Sequence, residues 1–202
     1  MRTFVTEPVV LAMFGELLQP SSPVRYLFPL SSIKELHLLL NETLSSDDEE
    51  QTVIRSNIEN LIAFFENPFV NKKIDQCSFA PWAISKPIIY HELVTFQVVN
   101  AVDTAAYGEE FDPIETELIL LAMKENVPLL IEDPSIQERI VESDLPMQVF
   151  DVADFEFALE EDLTGGTPAS DRTETENHTL PAVIFGGFLL ILVSAVAISF
   201  FR

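Results

Sequence analysis

The sequence predicts an α/β domain with a mainly parallel sheet covered on both faces. Short apolar runs of strand length alternate with stretches whose apolar residues recur at helical spacing, and the alternation persists from residue 3 to residue 162. Prolines and acids stand where the helices should begin or end.

The elements follow in order. Residues 3–5 predict a short strand, and an apolar helix is expected from about Glu7 to Leu18, ended by Pro20 and Pro23. Val24 to Phe28 reads as a second extended piece. Ser31-Ser-Ile-Lys-Glu-Leu36 opens a helix with a serine cap ahead of Glu35 and with apolar Ile33, Leu36, Leu39 and Leu40. Ser45-Ser-Asp-Asp-Glu-Glu50 reads as a solvated loop or a helix N-terminus, where acids suit the dipole. Ile54, Ile58, Leu61, Ile62 and Phe65 then give the clearest helical spacing, stopped by Asn67-Pro68. Residues 77–102 hold short β-type runs, best developed in Val94-Thr-Phe-Gln-Val-Val99. Pro113 to Asn126 is helical, Val127-Pro-Leu-Leu-Ile131 is a strand, and Pro134 to Ser143 is a helix with proline in its first turn. Met147 to Phe150 reads as the last strand and Asp154 to Asp162 as the closing helix.

Beyond this domain, taken as residues 1–162, the composition changes. Residues 163–179 have the glycine, threonine and serine content of a flexible tether. Leu180 to Phe201 contains no charge and only two hydroxyls. A bilayer core about 30 Å thick needs roughly 20 helical residues, and this run supplies them. Gly186 and Gly187 weaken a helix in water but are common in membrane helices. Residues 180–202 are therefore expected to form a single transmembrane anchor that includes Leu180, Phe188, Leu192 and Phe201. Glu7 interrupts the N-terminal apolar stretch and no clear cleavage site follows, so no secretory signal is read. The expected arrangement is a single-pass, tail-anchored membrane protein with its N-terminal domain in the cytoplasm. Arg172 and Arg202 flank the span one to a side and do not orient it.

The formal net charge is −22 and is unevenly spread. Residues 1–102 carry twelve acids and seven bases, whereas residues 103–162 carry eighteen acids and two bases, Lys124 and Arg139. Such a surface repels nucleic acid and anionic lipid at long range and attracts metal ions or a basic protein, so no DNA partner is expected. The single cysteine, Cys77, rules out an internal disulfide and a multi-thiolate metal site. His37, His91 and His178 lack companions at ligand or triad spacing. No glycine-rich phosphate loop lies between a strand and a helix.

In parallel α/β sheets, sites form outside the carboxyl ends of the strands. Three acids are expected near that edge. Asp133 ends the run Leu129-Leu-Ile-Glu-Asp, Glu117 lies early in the helix from Pro113, and Glu35 lies early in its own helix. Gathered carboxylates repel one another unless a cation sits between them, and Mg²⁺ or Mn²⁺, which prefer oxygen ligands, suit that place. A metal so held activates water against a phosphodiester. Each acid taken singly is more simply read as a helix cap or dipole partner.

At these residues the chain resembles the PIN domain family. Asp112-Pro-Ile-Glu-Thr-Glu117-Leu-Ile-Leu-Leu-Ala122 is similar to the family's acidic helix motif, and Val127-Pro-Leu-Leu-Ile-Glu-Asp133 to the strand that follows and ends in an acid. Phe28-Pro-Leu-Ser-Ser-Ile-Lys-Glu35 resembles its glutamate-bearing helix, and Ile136 to Val149 the next helix and strand. The resemblance implies a three-layer α/β/α sandwich and a Mg²⁺- or Mn²⁺-dependent ribonuclease. It implies Glu35, Glu117 and Asp133 as catalytic metal ligands, with Asp112 and Glu115 beside them. The family ends its first strand with aspartate. Here Thr6 stands at that position and Glu7 one residue later, so Glu7 is the candidate substitute ligand. Two functions follow as expectations: a membrane-tethered ribonuclease acting on RNA, or a non-catalytic PIN-like acidic module that binds a protein partner at the membrane.

Overall fold

A computed structural model describes residues 1–102 and 110–164. The first half of the chain holds β1 (Arg2–Val5), α1 (Pro8–Met13), a 3₁₀ turn (Gly15–Leu18), β2 (Val24–Pro29), α2 (Leu30–Leu39), α3 (Asp48–Phe65) and α4 (Pro68–Asp75). The hairpin β3 (Ile88–His91) and β4 (Val94–Val99) follows, and then α5 (Pro113–Glu125), β5 (Leu129–Leu130), α6 (Pro134–Glu142), β6 (Val149–Phe150) and α7 (Val152–Thr164). The six strands form one sheet in the order β3-β4-β2-β1-β5-β6. All neighbouring pairs are parallel except β3 with β4. The fold is α/β with a mostly parallel sheet.

Strand residues alternate between two cores, as the period-2 geometry of a strand requires. Phe4, Tyr26, Phe28 and Phe96 point to one face, where they meet Leu11 of α1, Ile54, Ile58 and Leu61 of α3, and Phe155 and Leu159 of α7. Val5, Leu27 and Val99 point to the other, against Leu118, Ile119 and Ala122 of α5 and Ile136 and Ile140 of α6. The first core is largely aromatic. Phe96 lies with its ring centroid 4.9 Å from Tyr90, 5.1 Å from Phe28 and 5.7 Å from Phe64. Tyr26, fully buried, donates its hydroxyl to the Leu17 carbonyl at 2.7 Å. This bond holds the 3₁₀ turn against the sheet.

The local sequence explains most helix ends. Asp47 caps α3 by accepting from Glu50 N, and Asn67 caps α4 by accepting from Phe69 N, with Pro68 at its first position. Asp112 and Glu115 form a full capping box on α5. Asn126, at φ 52°, closes α5 in the left-handed conformation that asparagine tolerates.

Three expectations need correction. The helix foreseen from Glu7 to Leu18 is broken at Phe14 (φ −112°, ψ 74°) and continues only as a 3₁₀ turn. The expected serine cap of α2 does not exist. Pro29 occupies the cap, and Ser32 inside the first turn donates to the Pro29 carbonyl instead. Residues 68–75 form a helix, α4, that sequence reading passed over, because Asn67-Pro68 begins it as well as stopping α3. The sheet is mainly parallel, as expected, and its one antiparallel pair arises where β3 turns back on β4 through a short hairpin. The expected anchor at 180–202, and all but the first two residues of the expected tether at 163–179, lie outside the described residues, and α7 runs on to Thr164. Among the described residues no helix is long and apolar enough to cross a membrane.

Candidate functional site

The chain order of the sheet determines where a site can lie. From β1 the chain moves outward to β2 and β4, then returns past β1 to β5 and β6 on its other side. The carboxyl ends of β1 and β5 flank that reversal, the usual crevice of doubly wound sheets. Val5 N donates to Pro128 O at 2.9 Å and Thr6 N to Leu27 O at 3.1 Å, so β1 is held from both sides up to its last residue.

Thr6 comes next and is completely buried. Its hydroxyl donates to the Leu130 carbonyl at 2.8 Å, a bond that joins β1 to β5. This side chain serves the sheet.

Glu7 then turns into α1. Its backbone is extended (φ −94°, ψ 145°), Pro8 holds the first helical position, and its carboxyl makes no capping bond to the helix. The side chain is half-buried at the crevice. Its pKa is pushed from 4.5 up to about 7, first by burial and then by the charges of Glu35, Asp112, Glu115 and Asp133. Glu35 on α2 is likewise raised, by burial and by Asp112. Acids from α1's cap, α2, α5 and α6 therefore meet around Glu7.

Other groups already engage several of these acids. Asp112 accepts from Ile114 N and Glu115 N through Oδ1, both at 2.8 Å. Asp133 caps α6 by accepting from Ser135 N through Oδ1 at 2.8 Å. Each cap leaves Oδ2 for another partner. Glu115 is mostly buried and receives both amino groups of Arg139, at 2.7 Å and 3.0 Å. Arg139 reaches across from α6, donates to the Glu110 carbonyl as well, and stacks 5.1 Å over the Phe111 ring. It is the resident cation of the cluster, and Glu115, Asp133 and Asp112 in turn raise its own pKa.

Of the five expected metal-binding residues, the structure gathers Glu7, Glu35, Asp112 and Asp133 and adds Glu115. Glu117 takes a different contact, its carboxylate accepting a hydrogen bond from Ser31 at the start of α2. Among the described residues no three His, Cys, Asp or Glu side chains are placed to hold one metal ion. The donors are nonetheless all oxygen, as a hard cation requires. Arg139 was the residue the sequence reading overlooked. Its rarity, as one of two bases in residues 103–162, was the available signal.

This sequence matches no known family profile and no characterised protein.

Proposed function

We propose that the chain is a membrane-anchored protein whose PIN-like, three-layer domain binds Mg²⁺ or Mn²⁺ at the β1/β5 crevice and cleaves RNA there. One observation carries the reading: Glu7 is half-buried with four further acids from three helices around it, and burial first, then those charges, bring its pKa to about 7. Such mutual repulsion is what a divalent cation relieves. Glu7, Glu35 and Asp133, which are not at ligand distance from one common point in this structure, would have to close on the ion to hold it, with Asp112 beside them. When bound, it would polarise a water toward hydroxide for attack on a phosphodiester. The chain's own groups do the rest. Arg139 neutralises Glu115, so the remaining acids keep their donors toward the crevice. Thr6 fixes the strand ends that set the spacing of Glu7 and Asp133. The apolar run 180–202 would keep this chemistry at a membrane surface.

A second reading is a non-catalytic acidic module that binds a basic protein. Thr6 favours it, because its hydroxyl is committed to the Leu130 carbonyl where a ligand carboxylate would be needed.

The two readings separate in one experiment. Mn²⁺ binding is measured by calorimetry and cleavage of single-stranded RNA is followed with Mg²⁺ or Mn²⁺, using Glu7→Gln and Asp133→Asn as controls. Metal-dependent cleavage lost in both variants supports the nuclease. No binding at millimolar Mn²⁺ rejects it and leaves the acidic module.

A further inference from the structure

One surface departs from the acidity of the whole. Between residues 68 and 90 there are three lysines, Lys72, Lys73 and Lys86, against one acid, Asp75, in a chain of net charge −22. The same stretch carries the two most exposed large apolar side chains among the described residues, Phe69 at 83 % and Phe79 at 85 %. A buried phenylalanine contributes roughly 1.5–3 kcal/mol, so two left in water call for an explanation.

The geometry brings Phe69, the α4 lysines and Lys86 together, with exposed Phe79 just past the end of the helix. On α4, Val70 and Ile74 pack into the core, followed by buried Cys77 just past the helix. Phe69, Lys72 and Lys73, at spacings of three and four, take the outer side. Lys73 donates its Nζ to the Pro87 carbonyl at 2.8 Å, which places Lys86 beside the helix. Ser78 turns the chain at the end of α4 by donating to the Asp75 carbonyl, and exposed Phe79 follows immediately. Asn100 donates to the Ala80 carbonyl at 2.9 Å and ties this turn to the end of β4.

We propose that α4 and residues 78–87 form the face with which the domain lies on an anionic lipid surface. Phe69 and Phe79 enter the boundary between headgroups and acyl chains, and Lys72 and Lys86 meet lipid phosphates. This rests on the reading of residues 180–202 as a membrane anchor. Aromatic and basic groups together also suit single-stranded RNA. Lipid is favoured because an anchor at 180–202 holds the domain at high effective concentration next to the bilayer, which offsets there the long-range repulsion that the −22 chain exerts on any polyanion.

The test uses the full chain reconstituted in vesicles. Phe79→Trp in a Trp82→Phe background makes position 79 the only tryptophan, since the chain has one. Flotation reads the anchor, and quenching of that tryptophan by brominated acyl chains reads the docking. Expected is strong quenching in vesicles containing phosphatidylserine and little in purely zwitterionic ones. The pair Lys72→Glu and Lys86→Glu, both exposed, should weaken docking at least about 25-fold, at about fivefold for each lysine. Vesicles that float with the chain but leave position 79 unquenched overturn the docking face alone. A chain that does not float overturns the anchor and this inference with it. A tryptophan that responds to single-stranded RNA in detergent, and not to anionic lipid, reassigns the face to nucleic acid.

Discussion

Glu7 provides the sharpest test of the carboxylate cluster, because replacing it should stabilise the protein. In the unfolded chain this carboxyl titrates near 4.5, and in the folded one near 7. The sign follows from linkage. Between those values the folded state binds more protons than the unfolded state, so stability falls as pH rises from about 4.5 to about 7 and stays low above it. The two values differ by an amount worth about 3 kcal/mol. Water at the rim of this half-buried side chain screens the charges and reduces the figure to about 2 kcal/mol. Glu7→Gln removes the ionisation, keeps the size, and breaks no capping bond, since the carboxyl makes none. Urea denaturation of residues 1–166, which contain both cores, should show wild type and variant equal near pH 4. By pH 8 the variant should be ahead by about 2 kcal/mol. Millimolar Mn²⁺ should narrow that gap by stabilising the wild type. A difference that is flat in pH, or a less stable variant at pH 8, would show that the acids around Glu7 do not act on it as described.

Three further variants probe the same framework. Asp112→Asn keeps an N-cap of equal rank for α5 but removes one of the charges acting on Glu7, so the Glu7 carboxyl should titrate at lower pH by carbon-13 NMR with helix content unchanged. Tyr26→Phe leaves the buried Leu17 carbonyl without its donor and should cost about 1–2 kcal/mol in urea unfolding, with no effect on metal binding. Phe96→Ala opens a cavity among Phe28, Phe64, Phe65 and Tyr90 and should cost about 3–5 kcal/mol, read as a large fall in thermal midpoint.

The fold was legible where periodicity and capping agree. Asp112-Pro113 marks the start of α5, and Asp133-Pro134 that of α6, because the acid supplies the N-cap and the proline the first-turn residue. The sequence was less legible where one signal has two meanings. Asn67-Pro68 ends α3 and begins α4, and pattern alone sees only the stop. The serines of α2 looked like caps, but the helix begins before either of them, with Pro29, still paired in β2, at the cap, and Ser32 turns inward to the Pro29 carbonyl.

The site divides along the same line. That acids should meet at one sheet edge was readable from the rule that sites form outside the carboxyl ends of parallel strands, and the structure adds that Glu7 and Asp133 each stand just past a strand and that those strands are neighbours. Which acids meet was not. Glu115 and Glu117 are two residues apart on a helix and so project about 200° from one another. Only one of them can face the crevice, and spacing does not say which. The structure assigns that direction to Glu115, where Arg139 pairs with it, and turns Glu117 toward Ser31 on α2. The consequence is chemical. A cation entering the crevice meets Glu7, Glu35, Asp112 and Asp133 as free or half-engaged carboxylates, with Glu115 already neutralised by a guanidinium that cannot lose its proton. Any catalytic strength here therefore depends on Glu7 giving up a proton near neutral pH. Thr6, fixed in the sheet, cannot take its place.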